Sequence, residues 1–158
     1  MAFRDLLVGI EEVNREISVN HDMLEYSSSI GHNAVMFNNI EGTGGLRSCL
    51  NVLARDRLCS IFDISPGELI DILAWAMDNP EEPVVVNNEN APVLENTQDS
   101  VDLSAIPIPW HYPEDRGRYQ SASVIIAEYD GVRNMSFHRQ FLRDANHCVS
   151  RFVPRHLR

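Results

Sequence analysis

Lysine is absent from this 158-residue sequence; all 13 basic residues are arginine. Compositional bias accounts for a missing lysine as readily as chemistry does. The consequence is chemical all the same: every basic side chain is a planar, permanently charged fork rather than a flexible ammonium. Cysteine is scarce. Cys49, Cys59 and Cys148 are odd in number, far apart and in no CxxC pair, which excludes a disulfide framework and a zinc knuckle and predicts three buried, reduced thiols. No apolar run approaches the roughly 18 residues of a membrane span. The start, MAFRDLLVGIEEV, places acids where a signal peptide keeps an apolar core, so no export and a cytoplasmic location are expected. GxGxxG, P-loop, GxSxG and HExxH motifs are all missing.

What is present is unevenly distributed. The net charge is −10, yet residues 1–105 hold 18 acids against 5 arginines, and residues 106–158 hold 5 acids against 8 arginines. An arginine-rich final third suits an anionic small molecule held by bidentate contacts. Nucleic acid is a poor partner, because the acidic two-thirds repels a phosphate backbone and the basic end lacks interleaved aromatics. No membrane partner is expected.

Along the chain, Phe3, Leu6, Leu7, Ile10 and Val13 fall at helical spacing and predict an amphipathic helix. A second helix is predicted over Asp22–Ile30, ending at Gly31, then a short strand at Ala34–Phe37 and a turn at EGTGG. A strand over Leu46–Leu53 and a helix over Arg55–Phe62 follow. Ser65-Pro66-Gly67-Glu68 has the form of a capping box with proline at the first helical position. Leu69, Ile72, Leu73 and Ala76 predict the buried stripe of that helix. A polar connector with one short strand at Val84–Val86 leads to IPIPWHYPEDRGRY, whose three prolines in eight residues keep it extended. Thereafter the pattern turns β. SASVIIAEY and VRNMSFHRQFL flank Asp130-Gly131, a hairpin signal, and CVSRFV predicts a third strand. The fold class is thus α/β (α+β), with an α/β unit over residues 1–105 and an antiparallel β unit over 106–158.

For chemistry, the amide of Asn134 and the imidazole of His156 suit a hard or borderline divalent cation. By spacing alone the pair is weak evidence, and a turn-flanking asparagine and a satisfied surface histidine account for it better. Arg139, Arg151 and Arg155 lie on or beside strands, where a buried arginine must be paired or face a ligand. Simple outward alternation suits Arg143 and Arg151, and His138, His147 and His111 read as structural or loop residues.

Taken together, IPIPWHYPEDRGRY, GVRNMSFHRQFL and RFVPRHL resemble the UbiD family of prenylated-FMN-dependent decarboxylases, most closely its archaeal branch. AVMFNNIEG and the ISPGELI helix extend the resemblance over nearly the whole chain. It implies that residues 106–158 begin a split antiparallel β-barrel that binds the flavin. It also implies Asn134 and His156 as ligands of Mn2+ or Mg2+, with K+ as a further ion. Asn134, Ser136, Phe137, His138, Arg139, Arg155 and His156 would lie against the cofactor, Arg139 as the catalytic arginine. The implied reaction is non-oxidative decarboxylation of a small carboxylic acid. Trans-anhydromevalonate 5-phosphate, an isoprenoid precursor, is the first candidate substrate and a hydroxybenzoate-like aromatic acid the second. A non-catalytic cofactor-binding piece that needs a second chain is the alternative of another class. Family members are two and a half to three times longer. The resemblance therefore implies a third metal ligand and two acidic partners of Arg139 beyond Arg158, a homo-oligomeric parent, and no activity in this length of chain alone.

Overall fold

The computed structural model describes residues 3–152; Arg155 and His156 lie outside them. The residues group into two compact units that interleave along the sequence rather than dividing it near residue 105. One joins residues 3–9 to Asn51–Ser100, and the other joins Ile10–Leu50 to residues 101–152.

The first unit is helical. A 3-10 turn at Phe3–Leu7 leads to Gly9, whose φ of 67° is left-handed. The predicted helix over Phe3–Val13 therefore does not form: glycine takes up the positive φ that ends the turn, and the following residues enter a strand. Arg57 holds this turn by donating from Nη2 to the carbonyls of Leu6 (2.6 Å) and Val8 (2.8 Å). In this unit the helices are α2 (Arg55–Phe62) and α3 (Pro66–Asp78). α3 opens with the expected reciprocal cap: Ser65 Oγ accepts from the Glu68 amide and Glu68 Oε2 accepts from the Ser65 amide. Its predicted stripe is not buried as a whole. Leu69 is covered, but Ile72 and Leu73 stand exposed, as do Ile70 and Trp75. Helical spacing names the apolar positions of α3 without naming what would cover them. Val84–Val86 form no strand; they are exposed, and no strand among the described residues pairs with them. Two 3-10 turns, at Asn88–Asn90 and Pro92–Leu94, follow instead.

The second unit holds two three-stranded sheets and one helix. In the first sheet β1 (Glu11–Val13) pairs parallel with β2 (Val35–Phe37), and β2 pairs antiparallel with β3 (Ser48–Leu50). Helix α1 (Asp22–Ile30) closes at Gly31 as expected. Val13, Ile17, Val19, Met23, Val35, Phe37 and Ile40 form the core, where β2 buries every residue. The phenol of Tyr26 on α1 donates to Glu11 on β1, and its ring meets Phe37 edge-on at 5.7 Å.

The second sheet runs β4 (Tyr119–Tyr129), β5 (Val132–Asp144) and β6 (His147–Ser150), all antiparallel. The hairpin turns at Asp130-Gly131, whose φ values of 50° and 75° are the pair of positive angles that a two-residue turn of matching twist requires. β6 stops at Ser150, shorter than the predicted CVSRFV. The thiols also depart from expectation: all three are free, but Cys148 is exposed on β6 and Cys49 is only half buried. Before β4, the extended lead-in is anchored to two turns of this unit. The Trp110 amide donates to the Val19 carbonyl at 2.8 Å, and the Leu103 amide to the Ala145 carbonyl at 2.6 Å.

Candidate functional site

The candidate residues sit on β5, and strand geometry sorts them. Successive side chains alternate between faces, and burial along β5 alternates with them from Asn134 to Gln140. Asn134, Ser136 and His138 share one face; Met135, Phe137 and Arg139 share the other. Asn134 lies opposite Ala127, Ser136 opposite Ile125 and His138 opposite Ser123. Ser136 Oγ and His138 Nε2 are 2.7 Å apart, and the His138 ring packs on Phe152 at 4.7 Å. Three donor-acceptor side chains thus spring from one strand face at backbone positions about 7 Å apart.

On regular alternation, Asn134 and Arg139 face opposite ways, and β5 itself runs without interruption through both. The irregularity lies across the ladder. Gln120 pairs with Gln140 and Ser123 with His138, so Ser121 and Ala122 together oppose Arg139 alone. This β-bulge sharpens the local right-handed twist at the arginine.

Arg139 is held from two sides. Its Nη2 donates to Asp115 Oδ1 at 2.8 Å, and its Cζ lies 3.8 Å from the centre of the Tyr119 ring. Asp115 is delivered by a turn in which Pro113 occupies the second position and the Asp115 amide closes onto the Tyr112 carbonyl at 3.0 Å. Two residues before β4, Gly117 passes so close to the Phe141 ring that a Cβ there would sit 3.2 Å from it. Arg118 donates to the carbonyls of Ile108 (2.7 Å), Ser104 (3.1 Å) and Ile106, bracing the extended lead-in. Burial lowers its pKa, and Asp102 opposes that shift. The sequence reading missed these roles of Asp115, Arg118 and Tyr119. The run PEDRGRY already carried the cue, since two arginines, two acids and an aromatic within seven residues need partners.

An open cleft of about 320 Å³ lies along the outer strand β4, lined by Leu50, Pro107–Pro109, His111 and Tyr119–Ser123. None of the expected β5 residues lines it. The row Asn134–Ser136–His138 has the donor chemistry that a phosphate-bearing flavin needs: an amide, a hydroxyl and an imidazole on one strand face. Of the two implied metal ligands Asn134 alone is described, and its amide oxygen is a donor a hard divalent cation accepts. Among the described residues no three His, Cys, Asp or Glu side chains gather to hold a cation. Nor is any described helix long and apolar enough to cross a membrane.

Comparison with known proteins adds a lineage to this geometry. Residues 84–158 match the domain family described as the 3-octaprenyl-4-hydroxybenzoate carboxy-lyase Rift-related domain, UbiD. The anhydromevalonate phosphate decarboxylase of Methanosarcina mazei is 28% identical over 98% of this chain and 36% of its own length. That of Methanothermobacter thermautotrophicus is 47% identical over 65% of this chain and 24% of its own. An evolved dimeric form of the UbiD-class enzyme HmfF from Pelotomaculum thermopropionicum, in complex with prFMN, superposes with a TM-score of 0.86 at 25% identity. That superposition covers 98% of this chain and 39% of HmfF. The matches span between about a quarter and two-fifths of the length of these relatives.

Proposed function

We propose, from the match of residues 84–158 to the UbiD domain family, that the chain is the flavin-binding portion of a decarboxylase acting on an α,β-unsaturated acid. One observation carries the reading: the family match spans the β5 row, Asn134 to Arg139, whose polar face and braced arginine the fold has already set out. The relatives named anhydromevalonate phosphate decarboxylase support trans-anhydromevalonate 5-phosphate as the substrate.

In this reading Asn134, with His156, holds Mn2+ or Mg2+ beside the flavin phosphate, and K+ is a further ion of the site. Ser136, Phe137 and His138 would run along the cofactor and contact it mostly through their backbone, with Arg155 a further contact. When bound, prenylated FMN supplies the electron sink for the charge left behind as CO2 departs. The chain's own residues supply position and charge. Arg139 offers its remaining N–H groups to the substrate carboxylate while the Tyr119 ring covers one face of the guanidinium and sheds water from it. The excess of arginine over acid in residues 106–158 offsets the phosphate charge. The active parent is a homo-oligomer whose partner is a small carboxylic acid.

The test uses this chain extended to the length of its relatives and supplied with prenylated FMN and Mn2+. CO2 release from trans-anhydromevalonate 5-phosphate is expected to exceed release from a hydroxybenzoate. Arg139→Ala should lower kcat by about 10²–10³-fold, the loss typical of one charge-stabilising donor. Undiminished turnover in that variant would remove Arg139 from the reaction.

A further inference from the structure

We infer that Asp115 and Tyr119 are positioning residues for Arg139, and that the loop over residues 112–118 is a built brace rather than a connector. The inference rests on the reading of Arg139 as the residue that holds the substrate carboxylate. Its support is geometric. Arg139 and Asp115 are 24 residues apart, yet Nη2 and Oδ1 meet at 2.8 Å, with the carboxylate much the less exposed partner, at 19% against 55%. The second carboxylate oxygen, Oδ2, is buried and has no hydrogen-bond partner among the described residues. A desolvated oxygen beside a guanidinium costs free energy unless the ion pair is retained.

The loop's remaining residues serve the same end. Arg116 lies over the Phe141 ring at 5.5 Å, Phe141 packs on Tyr119 at 5.1 Å, and Tyr119 lies under Arg139 at 3.8 Å. Two guanidinium groups therefore flank a pair of aromatic rings in one stack, with Arg139 at its end. Gly117 admits the Phe141 ring into that stack, because a Cβ there would sit only 3.2 Å from the ring and press on it. The bulge of Ser121 and Ala122 stands directly across the ladder from Arg139. A guanidinium gripped at one edge and covered on one face keeps its other edge free in a fixed direction, as orientation of a carboxylate demands.

Side-chain 15N NMR of the 158-residue chain tests this without cofactor or turnover. The Arg139 Nε–H resonance is identified by its loss in Arg139→Lys, and rotation about its Cζ–Nε bond is measured by exchange. Rotation should be slow in the unaltered chain. It should quicken by at least about tenfold in Asp115→Asn, where the charge-assisted bond is weakened. Tyr119→Leu should also quicken it, whereas Tyr119→Phe, which keeps the ring, should not. The Phe and Leu variants at 119 give a reading even if Asp115→Asn fails to fold. Unchanged rotation in Asp115→Asn and in Tyr119→Leu, with backbone amide spectra intact, would overturn the inference. A firmly held Arg139 alongside a full-length protein that releases no CO2 would uphold the brace and reject the proposed function.

Discussion

Arg118 shows how much one side chain can organise. Its guanidinium reaches three carbonyls spread over Ser104–Ile108, a stretch in which Pro107 lacks an amide to donate to a ladder. Arg118→Ala should destabilise the chain by about 3 kcal/mol, the scale of losing hydrogen bonds to a charged donor. Chemical denaturation reads the loss, and hydrogen exchange should quicken at Leu103 and Ile108. Arg118→Lys should recover only part of it, because one ammonium cannot copy a fork that spans three acceptors. At this scale the sequence was partly legible. The order and spacing of Asn134, Ser136 and Arg139 carried the resemblance. The pairing of Asp115 with Arg139 was hidden because it depends on a turn and a bulge that set two distant positions face to face.

Elements were legible wherever local chemistry decides them. The α3 cap, the Gly31 stop of α1 and the Asp130-Gly131 turn all follow from side-chain oxygens or positive φ within a few residues. Phe3–Val13 was misread because apolar spacing suits a helix, while Gly9 and the parallel partner at Val35–Phe37 favour a turn and a strand. The α3 cap yields a pH prediction. Hydrogen bonds from the Ser65 amide, and then from the Ser65 side chain, lower the pKa of Glu68. A lowered carboxylate pKa stabilises the fold fully above the ordinary glutamate value, and the benefit is lost as pH falls through the lower folded value. The N-terminus of α3 should therefore loosen on acidification. Faster exchange at the Ser65 amide below the ordinary glutamate range would record it. Glu68→Gln should flatten that dependence.

At the scale of the molecule, the burial of each surface was the least legible property. Val124, Ile126, Met135 and Phe137 face one another across β4 and β5 as an exposed apolar group, with Phe137 76% exposed. Apolar alternation marks such positions as inward without saying inward against what. The chain should therefore bind a hydrophobic dye at this face, and Ile126→Ser with Phe137→Ser should cut the dye fluorescence by more than half. The interleaved partition has a consequence of its own. Asn51–Ser100 leaves one unit after Leu50 and returns to it at Val101, so in topological terms it is a parenthesis in the chain. A parenthesis can be deleted without disturbing the sentence around it. Joining Leu50 to Val101 through a flexible glycine-serine linker, with residues 1–9 removed as well, should leave both sheets and the Asp115–Arg139 contact assembled. Loss of the β4–β5 amide pattern in that shortened chain would show that the excised segment is a folding partner rather than a passenger.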